Sequence, residues 1–317
     1  MRVGVLTSGG DAPGMNAAIR AVVRAGLTHG DQVFGIYDGY KGLVEGKIEE
    51  FTRKHVSEIL NRGGTILGTA RLPEFAYEQV RKLAIKQLEK NDIDALICIG
   101  GDGTYTGALR LSEMGVKVIG LPGTIDNDIA STDFTIGFST ALNTACDAID
   151  KLRDTSSSHQ RCSIIEVMGR ECGDLALYSG ICCGAEYIVT SQTGLDKEKL
   201  LNDLKINRLQ GRRHAIVVIS EHMTDVYRFA KEIEEYTGYE CRATVLGYIQ
   251  RGGTPTPEDR LLASRLGGYA IDLLHEGTYG VACGIKNNKL VSTPLADALK
   301  MKTKRNESLE ELVQNLK

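Results

Sequence analysis

The chain has 317 residues, 42% of them hydrophobic, with a formal net charge of −3 and a pI near 6.1. That length can bury a large core and, at about 100–200 residues per domain, predicts two domains; the near-neutral charge argues against a nucleic-acid or membrane-surface protein. No apolar run reaches the roughly 18 residues needed to span a bilayer, and Met1 leads directly into a strand-like VGVL with no signal segment, so a cytoplasmic protein is expected.

The eight cysteines contain no C-x-x-C pair and the six histidines no H-E-x-x-H. Reduced, mostly buried thiols follow, a zinc site is disfavoured, and any metal should be oxygen-bound.

Arg2–Thr7 reads as a buried strand, SGGDAPG as a turn, and Met15–Leu27 as a helix with small residues along it. Strand, glycine loop and helix together present backbone N–H groups to an anion, although a plain tight turn has the same signature. Arg20 and Arg24, spaced i,i+4, share one face of that helix, which is ordinarily a solvated face. Asp31–Tyr37 is a second strand and Gly39–Glu50 is turn-rich. Arg53–Leu60 reads as a short helix stopped by Asn61-Arg62-Gly63-Gly64. Thr65–Arg71 reads as a strand-like run delivering Arg71 just before Pro73, either as a surface charge or as a phosphate contact.

After a helix at Ala76–Lys90, the buried strand Ile93–Ile99 empties into Gly100-Gly101-Asp102-Gly103-Thr104 and a helix through Met114, repeating the first layout. Val116–Ile119 opens a third strand that runs into LPGTIDND, Leu121–Asp128. Pro122 and Gly123 suffice to shape a turn; Asp126, Asn127 and Asp128 load it with more charge than turning needs, although a solvated Asx-rich loop is the alternative. Alternating β and α elements predict a parallel sheet whose strand ends share one edge, where Gly10, Asp102 and Asp126 should converge. Phosphoryl transfer suits such an edge: glycine loops admit phosphate oxygens, Asp102 can hold Mg²⁺ and Asp126 can take the proton of an acceptor hydroxyl.

A helix from about Thr140 to Arg153, a polar loop and the strand Cys162–Val167 follow, the last bracketed by Arg161 and Arg170. Helix Leu175–Cys183, strand Tyr187–Thr190, helix Lys197–Leu204, strand His214–Ile219 with Glu221 past its end, a helix through Tyr236 and strand Ala243–Ile249 continue the alternation. Gln210-Gly211-Arg212-Arg213-His214 is a local basic cluster, ordinarily only a solvated turn. The helix Arg260–Leu274 and the strand-like Val281–Ile285 return to the first domain. Ser308–Leu316 reads as an amphipathic helix with Ser308 and Glu311 as a capping box.

With these loops in order, the sequence resembles the bacterial ATP-dependent 6-phosphofructokinase family through VLTSGGDAPGMNAAIR, GGDGTY, LPGTIDND, DTSSSHQR, EVMGRECGD and IQRGG, over nearly the whole chain. The resemblance implies an α/β fold of two Rossmann-like three-layer α/β/α domains with mostly parallel sheets and the active site in the cleft between them. It places residues 1–138 with 257–302 in an ATP-binding domain, and 139–256 with 303–317 in a sugar-phosphate-binding domain. By that resemblance Gly10, Arg71, Leu72, Gly101, Asp102, Gly103 and Thr104 line the ATP site, with Asp102 on Mg²⁺. Thr124, Asp126, Asp128 and Arg170, with Gly10, form the catalytic centre, Asp126 deprotonating the 1-hydroxyl of fructose 6-phosphate. Met168, Gly169 and Glu221 hold the sugar; Arg161, Arg242 and Arg251 grip its 6-phosphate, Arg161 and Arg242 reaching into a neighbouring subunit of a homotetramer.

Gly103 and Gly123 match the ATP users of the family, since its pyrophosphate-dependent members carry an acid and a lysine there. The family's effector site, for ADP or phosphoenolpyruvate, maps onto Arg20, Arg24, Arg53, Arg153, Glu186, Arg212 and His214. Two positions depart from the family pattern: Tyr248 replaces a 6-phosphate-binding His, and Gln210 replaces an effector-site Lys. Another ketose phosphate such as tagatose 6-phosphate, or a non-catalytic effector-binding role, are the competing readings.

Overall fold

Burial on both faces selects the strands of this chain. The computed structural model describes residues 1–303 and 306–316, so residues 304, 305 and 317, which the domain expectation includes, lie outside the described residues. The chain divides into two compact units, Met1–Thr140 with Arg251–Thr303, and Ala141–Gln250 with the C-terminal helix.

In the first unit β1 (Arg2–Thr7) is almost wholly buried, as a strand flanked by strands and covered by helices must be. Helix α1 (Met15–Thr28), β2 (Gln32–Ile36), α2 (Gly39–Glu45), β3 (Ile48–Phe51), α3 (Glu78–Lys90), β4 (Ala95–Gly100), α4 (Asp102–Ser112), β5 (Lys117–Thr124) and the two-residue β6 (Ile136–Gly137) follow. Helix α5 (Phe138–His159) carries the chain into the second unit, which adds β7 (Arg161–Val167), α6 (Asp174–Cys182), β8 (Tyr187–Val189), α7 (Lys197–Leu209), β9 (Ala215–Ser220), α8 (Val226–Thr237) and β10 (Glu240–Val245). The first unit resumes with α9 (Pro257–His275), β11 (Val281–Lys286), β12 (Lys289–Pro294) and α10 (Leu295–Ala298), and α11 (Glu307–Asn315) ends the chain.

The first sheet runs β12-β11-β5-β4-β1-β2-β3, with β6 beside β5. It is parallel except where β3 and β12 pair antiparallel at its two edges. The second sheet, β10-β7-β9-β8, is parallel throughout. One core of the first unit joins Leu6, Leu96 and Cys98 to Tyr40, Leu88, Tyr105 and Leu111 from α2, α3 and α4. The second unit packs Cys162, Ile164, Val217 and Ile219 against Leu204, Phe229 and Ile233 of α7 and α8. No helix among the described residues is long and apolar enough to cross a membrane.

Six local expectations are corrected. Residues 65–71 form a loop, not a strand, because their polar atoms bond to neighbouring loops: Thr7 Oγ1 donates to Gly68 O at 2.9 Å, Thr69 Oγ1 to Gly9 O at 2.5 Å, and Ile66 N to Asn16 Oδ1 at 2.7 Å. Arg53–Leu60 is a series of turns, and the turn-rich Gly39–Glu50 contains α2 and β3. The polar stretch after Arg153 remains helical to His159, since Ser156 and Ser158 donate to the carbonyls of Leu152 and Asp154, four residues back, at 2.7 and 2.9 Å. Strand β10 stops at Val245, and Gly247–Arg251 is a 3-10 turn opened by Gly247 at φ 54. At α11 the cap is Asn306, whose Oδ1 accepts from Leu309 N at 3.3 Å; the Ser308 hydroxyl donates to that same Oδ1 at 3.1 Å.

The start of α5 is held by a buried acid rather than by a residue of its own. Asp259, in the first turn of α9, accepts from Gly137 N and Thr140 N, both at 2.8 Å, and from Thr140 Oγ1 at 2.5 Å. Replacing Asp259 with alanine leaves two N–H groups buried without an acceptor, at about 1–3 kcal/mol each. A clearly lowered melting temperature is the expected outcome in calorimetry, and an unchanged one contradicts it.

Candidate active site

Register brings three loops of the first unit level with one another. Thr7 of β1 pairs with Ile99 of β4, and Gly100 of β4 with Pro122 of β5, so the SGGD, GGDG and PGTIDND turns all leave from the same sheet edge. Close backbone approach fastens the first two: Ser8 N donates to Ile99 O at 3.0 Å, and Thr104 Oγ1 to Ser8 O at 3.0 Å. A Cβ on Gly100 would meet Ser8 O at 2.4 Å and Thr104 Oγ1 at 2.3 Å. Since Ser8 O is backbone, Gly100→Ala must push the two loops apart, at a cost of about 1–3 kcal/mol as for other overpacked sites. A lower denaturation midpoint checks this, and an unchanged midpoint refutes it.

In the third loop Thr124 and Asp126 are buried, with Asp126 only 2% exposed. Thr124 Oγ1 lies 3.3 Å from Asp126 Oδ2 and accepts from Asp126 N at 3.2 Å, so hydroxyl and carboxylate orient one another. Asn127, at φ 53, ties the turn back on itself by accepting from Thr135 N at 3.0 Å and donating to Asp133 O at 3.3 Å. Sequence reasoning passed over this clamp, although an Asn beside a required left-handed φ is the signal that marks it. Asp128 is half-buried at the end of the same turn.

Asp102 begins α4, exposed, with its carboxylate in the first turn where the helix dipole favours an anion. A Cβ on Gly103 would meet nothing within 4 Å, so packing does not require glycine there. Among the described residues no three His, Cys, Asp or Glu side chains are placed to hold a metal. An exposed carboxylate at the start of α4, beside a glycine loop, does fit Mg²⁺, which takes one or two carboxylates and completes its shell with phosphate oxygens and water. Arg71 is exposed and Leu72 half-buried at the end of the loop that Thr69 fastens to Gly9. Arg251 belongs to this unit: its Nη1 donates to Asp11 O at 3.4 Å, and a Cβ on Gly10 would lie 1.9 Å from that nitrogen.

The second unit assembles a separate group at the C-terminal end of β7. Gly169 N and Arg170 N donate to one oxygen of Glu221 at 3.2 and 2.9 Å, and Met168 N donates to Gln250 Oε1 at 3.2 Å. Both residues after Met168 have positive φ, 135 at Gly169 and 51 at Arg170, the second being uncommon for a side chain of that size. A cavity of about 190 Å³ lies there, lined by Glu166, Met168, Glu221 and Tyr248 among others. Burial first, and then the Glu221 carboxylate, push Glu166 above the usual carboxylate range. Tyr248 is 82% exposed at its rim. Glu166 and the fully buried Gln250 were missed from sequence, since neither differs in type from a solvated residue.

Arg161 and Arg242 are not brought to this cavity. Arg161 begins β7, roughly 20 Å along the strand from Met168 at about 3.3 Å per residue. Both arginines pair with Glu240, Arg161 Nε at 2.9 Å. Their hydrogen bonds and charges, Arg161 foremost, hold Glu240 below the usual carboxylate range.

Of the basic residues away from these groups, Arg53 and Arg153 have defined partners. In the first unit Arg53 Nη2 donates to Thr28 Oγ1 at 3.1 Å, and burial, then the neighbouring Arg24 charge, lower Arg20. In the second, Arg153 Nη2 donates to Cys183 O at 2.5 Å and Gly184 O at 2.9 Å, and Nη1 stands 3.9 Å from Glu186 Oε1. Glu186 also accepts from Ile216 N at 2.7 Å, and it lines a cavity of about 370 Å³ with Arg212. His214 is half-buried just before β9.

A family model described as phosphofructokinase matches residues 2–274. The chain belongs to the phosphofructokinase family. It is 60% identical over 309 residues to the ATP-dependent 6-phosphofructokinase of Aliivibrio fischeri, covering 98% of this chain and 96% of that one. With the protein of the same name from Photobacterium profundum the identity is 58% over 316 residues and 99% of each chain. Among solved structures, phosphofructokinase from Saccharomyces cerevisiae superposes with a TM-score of 0.88 at 36% identity, over 99% of this chain and 47% of the yeast chain, so this chain spans about half its length. The pyrophosphate-dependent phosphofructokinase of Marinobacter aquaeolei reaches the same TM-score at 18% identity over 99% of this chain, a likeness of fold alone.

Proposed function

We propose that this phosphofructokinase transfers the γ-phosphoryl group of ATP to the 1-hydroxyl of fructose 6-phosphate, releasing ADP and fructose 1,6-bisphosphate in glycolysis. The observation that carries the reading is the identity of 58–60% across nearly all of both chains to proteins named ATP-dependent 6-phosphofructokinase. The open space before Gly103 supports a nucleoside triphosphate as donor.

Roles follow the chemistry of each position. The glycine loops and Thr104 take the nucleotide phosphates, flanked by Arg71 and Leu72. Asp102 would hold Mg²⁺, which when bound neutralises charge on the transferring phosphate. Asp126, oriented by Thr124, removes the proton of the 1-hydroxyl, and Asp128 and Arg170 balance charge around it. Met168, Gly169 and Glu221 hold the sugar, with Tyr248 beside them and Arg251 on the 6-phosphate. The separation of Arg161 and Arg242 from Met168 supports their serving a neighbouring subunit's site in a homotetramer. Arg20, Arg24, Arg53, Arg153, Glu186, Arg212 and His214 form the site for ADP or phosphoenolpyruvate.

A coupled assay with ATP and Mg²⁺ tests the reading: ADP release is expected only when fructose 6-phosphate is present. Release driven better by tagatose 6-phosphate would shift the acceptor, and tight ADP binding without turnover would leave a purely regulatory protein.

A further inference from the structure

Of the six cysteines in the second unit, three are carried by α5 and the end of α6: Cys146, and Cys182 and Cys183. The sulfur of Cys183 lies 3.8 Å from Cys146 O, so the two residues are in contact. The neighbouring Cys183 draws the Cys146 thiol below its ordinary value, while Cys146 and burial push Cys183 up. Thiol–disulfide exchange needs one cysteine to attack and a neighbour to resolve, and this contact supplies the neighbour. Both are half-buried. Cys162 and Cys241 are also neighbours, as register partners on β7 and β10, but both are buried, and Cys162 is pushed up by its bond to Cys241 and by burial.

The turn that carries Cys183 also holds Arg153. The carbonyls of Cys183 and Gly184 are the acceptors of its guanidinium, which stands beside Glu186. Any shift of residues 183–184 towards α5 therefore changes the seat of Arg153.

We infer that Cys146 and Cys183 form a redox-modification site which closes to an intramolecular disulfide in the presence of a low-molecular-weight disulfide, and that closure unseats Arg153. The Cys146 thiolate attacks one sulfur of the small disulfide and expels its first thiolate, which takes up the proton Cys146 has lost. Cys183, losing its own proton, then attacks the Cys146 sulfur and expels the second. Two protein thiols are oxidised by two electrons and the small disulfide is reduced to two thiols. The consequence for Arg153 rests on the effector role proposed for it and Glu186.

The test uses the full-length enzyme treated with oxidised glutathione, then alkylated and mapped by mass spectrometry, alongside the C146S variant, with C183S in reserve should C146S misfold. A cross-linked peptide pair containing Cys146 and Cys183, reversed by dithiothreitol and absent from the variant, is expected, with activity in the absence of effector retained. The effector-induced change in apparent affinity for fructose 6-phosphate, about 5–150-fold for ordinary allosteric coupling, should fall towards onefold on oxidation and persist in oxidised C146S. Modification of the exposed Cys182 alone, with Cys146 and Cys183 still alkylated, overturns the site. A mapped disulfide with an unchanged effector response overturns the link to Arg153. A reduced enzyme that answers neither ADP nor phosphoenolpyruvate overturns the effector reading and with it that link, while the peptide map still decides the disulfide.

Discussion

Replacing Asp126 with alanine lowers kcat about 10²–10⁴-fold, the usual contribution of a positioned general base, and leaves KM for ATP nearly unchanged. The carboxylate is 2% exposed and set by Thr124 within one turn of backbone, so its removal takes away a group already held in position. The substitution removes charge from the interior without disturbing Asn127, whose bonds to Thr135 and Asp133 shape the loop. Thermal stability should therefore stay at or above the parent value. Steady-state kinetics with a parallel melting curve checks this: a variant that keeps full activity refutes the proposed base, and one that loses activity only because it unfolds does not support it.

Replacing Arg251 with alanine raises KM for fructose 6-phosphate about 10–150-fold, the equivalent of losing one hydrogen bond to a charged group at about 1.5–3 kcal/mol. Lysine restores the charge but not the planar fork, so Arg251→Lys should recover only part of the affinity. The ATP dependence separates this role from a structural one, since Arg251 also donates to Asp11 O in the glycine loop. KM for ATP should move far less than KM for the sugar. Gly10→Ala supplies a second readout: its Cβ would displace the guanidinium from a distance of 1.9 Å, the far end of a flexible side chain, so the sugar KM rises with little change in stability. Equal increases in both KM values for Arg251→Ala would overturn the assignment to the 6-phosphate.

Much of this molecule was legible along the chain because burial on both faces writes an unbroken apolar run, and glycine and acid residues punctuate its end. Strands β1, β4, β7 and β9, the helices between them and the three loops at Gly10, Asp102 and Asp126 were read on that basis, and the register of the sheet confirms that the loops leave from one edge. The failures have two causes. In residues 65–71 polar atoms bond to neighbours remote in sequence, such as Asn16, and after Arg153 the serines bond back to carbonyls four residues earlier, so a polar stretch that reads as a loop stays helical. The edge strands β3 and β12 have only one covered side to mark them, so their pattern is weak.

What the sequence by itself determined is the kind of chemistry: which strand ends carry glycine and acid loops, which acids are available and which family the chain resembles. What only the tertiary structure decided is placement, because it depends on pairing across long separations. It put Arg251 against Gly10, set the Glu221 carboxylate on the amides of Gly169 and Arg170, kept Arg161 and Arg242 on Glu240 at the far end of β7, and seated Arg153 on the turn that carries Cys183. Each of these contacts is a hydrogen bond or ion pair between a common polar side chain and a partner fixed by packing, and residue type alone does not carry that information.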